Sequence, residues 1–436
     1  MHKVSPRADL AQCTDSILVC ALQFDGRGDI YGAHEIALRV QRLMPQAKVV
    51  FTILKPHFSE METFLFSSKE IVDISEIQKQ EQWVIEEESL ALQSISTFKK
   101  IIVFPTYHDS LLPEEILNRK NDVIKLREYS VCAPKPGTVA GQTYTLGLNL
   151  AQGEKGVLLP EEWAGIIPLC NSQTAEQRLD HLKRVNPALS KAILGTDFSE
   201  KAVQLFSQGS KLHLGYYSQP DVFFCFINAL LATKNKNLVI LSTQKRPPEL
   251  MDNIEQALCD NGFVKINLIE FTDSNRFVTS GQQISQTGNK TCTLIFRTLS
   301  ATEMDAILRA SEEEALTTGD LSPFKFMAYR KVIIYDTRTQ KHESAEAMVQ
   351  LAAQCDLRFK KFLSLAFFGA EHPGQTVNVI ELENGMAKWI KAMEEDSSLK
   401  EGWNKFIDEV FSKYDFTPHL AEIVKERMTE SQINNE

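Results

Sequence analysis

Strand-like and helix-like segments alternate along the first half of the chain. Short, almost wholly apolar runs at residues 16–24, 48–54 and 99–104 predict buried strands, and residues 123–129 predict a fourth. Residues 32–44, between the first two strands, have the apolar spacing of an amphipathic helix. This order of elements predicts a parallel sheet that is covered by helices.

A second alternating set follows a long helix, residues 175–194, which Pro187 interrupts. Its predicted strands lie at residues 211–216, 237–241, 264–271, 291–296, 315–318 and 331–335. The stretch 273–290 is polar and rich in Ser, Thr, Gln, Asn and Gly, so we predict a surface loop there. From residue 343 onward the pattern is helical.

The 436 residues are too many for one ordinary core, and two domains are expected. The segment 195–199 is the predicted linker. We therefore expect an α/β fold of two Rossmann-like domains, residues 1–198 and 199–375, that face a cleft. Residues 376–436 form a helical C-terminal tail that could cross back to the first domain.

Composition narrows the class of protein. Hydrophobic residues make up 43% and charged residues 24%, as in a folded soluble chain. The net charge of −10 disfavours nucleic acid and anionic lipid as partners. No apolar run approaches the ~20 residues of a membrane span, and no signal peptide is apparent. The eight cysteines lack CxxC spacing, and Cys20, Cys225 and Cys292 lie in apolar segments, so reduced thiols and a cytoplasmic location are expected.

The first candidate motif, residues 24–32, follows the first strand and opens a helix. Its glycines let a ligand approach the backbone closely, and Asp25 and Asp29 are placed where catalytic side chains usually project. Either carboxylate could accept a proton from an acceptor. An ordinary strand-to-helix turn with an aspartate cap fits the residues equally well. The glycine spacing is not that of the dinucleotide fingerprint.

The second candidate motif, residues 316–324, follows a strand of the second set. Gly319 permits a sharp turn, Ser322 suits the N-cap of a helix and Pro323 suits its first turn. The helix N-terminus would present N–H groups to an anion such as a nucleotide diphosphate. The alternative is a well-capped short helix, and the coincidence of strand end, glycine and cap favours the anion site.

Three further sites carry weaker signals. Tyr216 lies just after the linker, in a segment with a glycine and a serine that could line the cleft, and packing under a loop is its alternative. His108 and Asp109 follow a strand and could bind an acceptor or lie in a polar loop. Lys341 follows the last strand, where it could meet phosphate charge or be solvated. No Asp-x-Asp pair occurs, which removes the simplest metal-bridged diphosphate site.

With these residues, the chain resembles the glycosyltransferase-B fold. In that fold two Rossmann-like domains are present, the nucleotide sugar lies mainly on the second, and the C-terminal helix often returns to the first. The turn from Gly319 to Ser322 is similar to the glycine–acidic–serine element near the donor phosphates in several members.

A second resemblance is to the protein-arginine rhamnosyltransferases, whose first loop reads Asp-Asn-Phe/Tyr-Gly-Asp-Ile-Gly. This chain matches it at Asp25, Gly28, Asp29 and Ile30. The family's later Arg-Gly-Glu-Asp-Ser-Phe element corresponds to residues 318–324, where the arginine is absent. The resemblance implies an active-site role for the two aspartates, and we carry over the fold and reaction class rather than the substrate.

The leading hypothesis is a metal-independent glycosyltransferase that moves a sugar from a nucleotide diphosphate to an acceptor, such as a protein side chain. The alternatives are a sugar-nucleotide epimerase or hydrolase of the same fold, and an inactive module that binds a protein. No cofactor is expected beyond the nucleotide sugar as co-substrate. The predicted catalytic residues are Asp25 and Asp29. The predicted donor-binding residues are Gly319, Asp320, Leu321, Ser322, Tyr216 and Lys341. The predicted acceptor-side residues are Gly28, Tyr31, His108 and Asp109.

Overall fold

The computed structural model describes most of the chain. The described residues are 16–22, 28–58, 64–73, 98–105, 112, 114–119, 122–127, 142–148, 154–160, 163, 165–166, 173–234, 236–273, 276–319, 321–337, 341–370 and 378–433. The chain forms two compact units, one of residues 1–159 and 410–436 and the other of residues 160–409.

The first unit contains a six-stranded sheet. Its elements in chain order are β1 (Ser16–Leu22), α1 (Gly28–Leu43), β2 (Lys48–Phe58), β3 (Phe64–Asp73), β4 (Lys100–Phe104), α2 (Glu114–Leu117), β5 (Val123–Arg127) and β6 (Gln142–Thr145). The strand order is β3-β2-β1-β4-β5-β6, with β3 antiparallel to β2 and the other pairs parallel. This is the strand order of a doubly wound, Rossmann-type sheet.

Strand β1 lies at the centre of this sheet because both of its faces are apolar. All seven of its residues are buried. Side chains alternate between faces along a strand, so Leu18, Cys20 and Leu22 share one face. They pack in one cluster with residues of β2 and β4, among them Val50 and Val103.

The second unit contains a seven-stranded sheet. Its elements in chain order are α3 (Ala175–Val185), α4 (Pro187–Leu194), α5 (Glu200–Gly209), β7 (Ser210–Gly215), α6 (Pro220–Thr233), β8 (Asn237–Ser242), α7 (Leu250–Asp260), β9 (Phe263–Phe271), β10 (Phe277–Gln283), β11 (Lys290–Phe296), α8 (Ala301–Ala310), β12 (Glu314–Thr317), α9 (Ser322–Ala328) and β13 (Val332–Tyr335). The strand order is β10-β9-β11-β8-β7-β12-β13, and only β10 runs antiparallel to its neighbour.

The remaining elements are helices. They are α10 (His342–Cys355), α11 (Arg358–Phe368), α12 (Val379–Glu395), α13 (Ser397–Lys413) and α14 (Thr417–Ile433). Residues up to 409 belong to the second unit and those from 410 to the first. Within the described part of the chain, no helix combines the length and apolar character that a membrane span requires.

A buried arginine attaches the C-terminal segment within the first unit. The Arg39 guanidinium, on α1, donates to the Leu159 carbonyl and, over 2.7 Å, to Thr417 Oγ1. Backbone hydrogen bonds from Val157 N to the Tyr414 carbonyl and from Phe416 N to the Val157 carbonyl measure 2.7 and 3.0 Å.

The predicted fold class is confirmed, since each unit has a predominantly parallel sheet and the C-terminal region is helical. The prediction of a surface loop at residues 273–290 is wrong. This segment contains β10, whose residues are exposed on both faces and therefore show no apolar alternation. The sequence pattern also missed β3, β6 and α5.

The units divide at Leu159 and Pro160, whereas the sequence indicated a division at 198/199. Residues 160–198 group with the second unit because α3 and α4 pack there. Asn186, between these two helices, donates from Nδ2 to Glu303 of α8 over 2.7 Å.

Candidate functional site

The candidate site lies at the carboxyl ends of β7 and β12. From β7 the chain passes to β8 on one side, and after β11 it crosses to β12 on the other side of β7. This reversal of strand order is a topological switch point, where open parallel sheets usually bind ligands. Gly215 ends β7 and Thr317 ends β12, so the loops that follow these residues begin at the switch point.

The turn after β12 requires a glycine. Gly319 has a φ of +84°, which side-chain-bearing residues rarely adopt. Its carbonyl accepts a hydrogen bond of 2.9 Å from the Tyr335 hydroxyl, at the end of β13. A Cβ atom at Gly319 would lie 3.6 Å from Ser322 Oγ and 3.9 Å from the Tyr216 hydroxyl. The backbone conformation, rather than crowding, therefore selects glycine.

The predicted N-cap role of Ser322 is wrong. Helix α9 begins at Ser322, Leu321 takes the cap position, and no side chain caps the first turn. Pro323 is correspondingly the second helical residue. Because α9 has only seven residues, few peptide dipoles align behind its first turn. The helix end is thus a weaker anion site than the sequence suggested.

Four side chains form a polar cluster at the switch point, which we call the Lys341 cluster: Ser218 after β7, Thr318 after β12, Asp336 after β13 and Lys341 before α10. Lys341 Nζ donates to Thr318 Oγ1 over 2.9 Å. Thr318 Oγ1 lies 3.4 Å from Ser218 Oγ. Ser218 Oγ in turn donates to Asp336 Oδ2 over 2.7 Å.

The two charges of this cluster are held differently. Asp336 is 1% exposed, and its Oδ2 also accepts hydrogen bonds from the backbone N–H groups of Ser218 and Gln219, at 2.8 and 3.2 Å. Lys341 is half-buried, and no carboxylate of the described residues forms an ion pair with it. Its ammonium is held by a neutral hydroxyl and keeps its attraction for an anion.

The two tyrosines after β7 have different surroundings. Tyr216 is half-buried beside Gly319, at the candidate site. Tyr217 is buried and stacks on Phe223 with ring centroids 4.3 Å apart, and the Ser242 hydroxyl donates to its phenol oxygen over 3.2 Å. Burial raises the pKa of Tyr217, so this side chain is a neutral packing group.

In the first unit, the predicted residues lie at the start of α1, after the central strand β1. Gly28 is the first helical residue, Asp29 is half-buried in the first turn, and Tyr31 belongs to the same helix. A carboxylate in a first turn also stabilises the helix through its dipole, as the turn-and-cap interpretation expects. Four predicted site residues lie outside the described residues: Asp25, His108, Asp109 and Asp320.

Two residues that lie close to predicted site residues, one in each unit, were not themselves predicted. Asp336 is the first residue after a buried strand, and that position is the signal that could have identified it. His34, on α1, packs edge-on against Phe51 with centroids 5.9 Å apart. Burial lowers its pKa to about 4, so the imidazole is neutral near pH 7. An isolated histidine in an amphipathic helix gives no such signal.

No known protein-family profile and no curated protein sequence matches the chain. Among solved structures, a S. aureus MnaA–UDP co-structure has 8% identity, a TM-score of 0.47, and coverage of 96% of this chain and 97% of that one. The UDP-GlcNAc 2-epimerase from Neisseria meningitidis bound to UDP-GlcNAc has 10% identity, a TM-score of 0.42, and coverage of 95% and 100%. The wall teichoic acid polymerase TagF has 9% identity, a TM-score of 0.34, and coverage of 98% and 91%.

All three identities are below 25% and all three TM-scores are below 0.5. The fold of this chain is therefore assigned from its own two sheet orders, each of which has a switch point beside a central strand.

Proposed function

We propose that the second unit binds the diphosphate of a nucleotide sugar at the switch point of its sheet, and that the protein transfers the sugar to an acceptor. The observation that carries this proposal is the Lys341 ammonium, held on Thr318 with no carboxylate partner among the described residues. The substrate class comes from the resemblance of residues 24–32 and 316–324 to nucleotide-sugar transferases.

The Lys341 cluster has the chemistry that a diphosphate requires. An ammonium and hydroxyl donors bind phosphate oxygens through charge-assisted hydrogen bonds. When the bond between the sugar and the diphosphate breaks, negative charge develops on the leaving oxygen. A cation fixed near that oxygen stabilises the transition state more than the ground state. Lys341 is the residue to which we assign this role, with Thr318 as its positioning partner.

The acceptor side is assigned to the first unit. Asp29 or Asp25 would accept a proton from the acceptor nucleophile, which could be a protein side chain. The half-buried position of Asp29 in the first turn of α1, after the central strand, supports this assignment. The roles of Asp25, Tyr31, His108 and Asp109 stay predictions. No metal or other cofactor is part of the proposal.

Calorimetric titration with uridine, cytidine, guanosine and thymidine diphosphates, with and without Mg²⁺, tests the donor site. We expect one of them to bind, and Lys341→Met to weaken it about tenfold or more, since hydrogen bonds to charged groups contribute ~1.5–3 kcal/mol. Lys388→Met is the matched control, because Lys388 is an exposed lysine on α12 of the same unit. Equal binding by wild type and Lys341→Met would refute the site.

Product analysis separates the proposed reaction from the alternatives. Transfer predicts that sugar appears on an acceptor in step with release of nucleoside diphosphate. Release without an acceptor indicates a hydrolase, and an isomerised nucleotide sugar indicates an epimerase. If no nucleotide binds and the Asp25→Ala/Asp29→Ala variant keeps its biological activity, the protein is a binding module and the proposal is wrong.

A further inference from the structure

Strand β10 is an outer edge of the second unit's sheet, and it carries no charged side chain. It runs from Phe277 to Gln283, and no Asp, Glu, Lys or Arg occurs from residue 277 to residue 289. Six of its seven residues are exposed, including Val278 at 61%. Its pairing with β9 is continuous and has no bulge. Charges, prolines and bulges are the usual devices that prevent edge strands from pairing, and β10 has none of them.

The hydrogen-bond pattern shows which backbone groups point outward. The Ile284 N–H donates to the Val264 carbonyl over 2.9 Å, and the Thr272 N–H donates to the Arg276 carbonyl over 3.0 Å. Antiparallel pairs alternate, so even-numbered residues of β10 bond to β9 and odd-numbered residues point away from it. The outward N–H and C=O groups are those of Phe277, Thr279, Gly281 and Gln283. No described residue pairs with them.

The other edge of the same sheet is closed. Strand β13 is fully buried, and two indole N–H groups donate hydrogen bonds to backbone carbonyls within it or directly before it. Trp389 Nε1 donates to the Ile333 carbonyl over 3.2 Å, and Trp403 Nε1 donates to the Lys331 carbonyl over 3.0 Å. The two tryptophans thus cap one edge of the sheet, whereas no described residue caps the outward backbone groups of β10.

We propose that β10 pairs antiparallel with β10 of a second copy of this chain, across a two-fold axis at Ser280. In this register Phe277 faces Gln283 and Thr279 faces Gly281, which are the outward-pointing residues, so every outward group finds a partner. Ser280 faces its own counterpart. All seven residues of β10 are used, and the two sheets join into one.

Charge favours a second copy as the occupant. The chain has a net charge of −10, so two copies repel each other over most surfaces. In a two-fold pair, charges near the axis meet their like, which destabilises the pair. The uncharged segment 277–289 avoids this repulsion, and a self-pairing edge needs that property more than an edge that binds an oppositely charged partner. Because the contact is one strand wide, we expect a weak, concentration-dependent dimer.

Charge reversal at the axis gives a direct test by sedimentation velocity and native mass spectrometry of the full chain. Wild type should form dimers as its concentration rises. Ser280→Lys alone and Ser280→Glu alone should each lose the dimer, because like charges then face each other. An equimolar mixture of the two variants should regain it as a mixed dimer, since Lys and Glu meet across the axis. Ser280→Thr is the neutral control and should behave as wild type.

A proline variant tests the backbone contacts. Thr279→Pro removes an outward N–H and leaves the bonds to β9 intact, so we expect loss of the dimer with an unchanged melting temperature of the monomer. Thr279→Val, which keeps the N–H, should remain dimeric. A monomeric wild type at the highest soluble concentration would overturn the proposal. A dimer that survives Ser280→Lys and Thr279→Pro, or variants that do not recombine in the mixture, would overturn it as well.

Discussion

At Gly319, one residue fixes the backbone of the candidate site. The φ of +84° costs an alanine roughly 1–2 kcal/mol, although a Cβ atom would find its nearest neighbour, Ser322 Oγ, at an ordinary 3.6 Å. Gly319→Ala should therefore lower the free energy of unfolding by about that amount in urea titrations. Gly209→Ala, at the end of α5 with open space around it and no positive φ, is the matched control. Equal stability of Gly319→Ala and wild type would contradict the strained turn.

Protonation of Glu303 is expected to lower the free energy of unfolding at acid pH. Burial opposes its ionisation, but hydrogen bonds from the Ser300 N–H, Asn186 and Arg297 outweigh this effect and hold the pKa of Glu303 below its ordinary value. A carboxyl with a lowered folded-state pKa stabilises the fold above its unfolded pKa, and this contribution is lost as pH falls through the folded value.

The expected loss of stability begins below about pH 4.3, the ordinary pKa of glutamate. Glu303→Gln should cost roughly 3 kcal/mol at pH 7, since the buried ion pair between Arg297 and Glu303 is then lost, and the stability of the variant should fall less steeply in acid. Urea unfolding of both proteins at a series of pH values measures the difference. If the stability of both proteins falls with pH along parallel curves, a carboxyl group other than Glu303 is responsible for the loss of stability in acid.

Among the helices, alanine substitutions at two glycines are expected to change stability in opposite directions. A Cβ atom at Gly385, on α12, would lie 2.3 Å from the Leu365 carbonyl oxygen of α11, which is backbone and cannot rotate away. Gly385→Ala should destabilise the protein by roughly 1–3 kcal/mol because the helices must separate. At Gly402, on α13, the nearest atoms are those of the Phe359 ring at 3.4 Å.

Gly402→Ala should be neutral or up to about 1 kcal/mol more stable, since alanine favours a helix over glycine. Thermal unfolding of the two variants shows whether each substitution stabilises or destabilises the protein. If both variants have the same effect, the close approach of α11 and α12 at Gly385 is not what selects that glycine.

At the scale of the whole molecule, the fold of the first unit depends on the last residues of the chain. Phe416 is fully buried and lies between the backbone bond to Val157 and helix α14. Phe416→Ala should cost roughly 3–5 kcal/mol. Hydrogen exchange should show loss of protection in β1 and β2 of the same unit, while β8 and β11 of the second unit keep theirs.

Glu426→Ala is the control for this prediction, because Glu426 is an exposed residue of α14. Uniform loss of protection across both units would mean that they unfold as one cooperative body, rather than as the two compact units described above.

Elements whose residues repeat a clear apolar pattern can be predicted from the amino-acid sequence alone. Strands β1, β4, β8 and β13 are mostly apolar because both of their faces are covered, and this pattern can be read without knowing which strands are neighbours. Pro187 divides α3 from α4 as predicted, because proline lacks the N–H that a helix interior requires. The turn at Gly319 is also evident locally, because a glycine can adopt the positive φ that a sharp turn after a strand requires.

Contacts between residues far apart in the chain depend on the tertiary fold. Ser218, Thr318, Asp336 and Lys341 come together because the neighbouring parallel strands β7, β12 and β13 end side by side, although Ser218 and Asp336 are 118 residues apart in the chain. Strand β10 exists because β9 offers it a continuous partner, since its own polar residues specify no buried face. Residues 410–436 group with the first unit through contacts to Val157 and Arg39, and no local pattern encodes such long-range pairing.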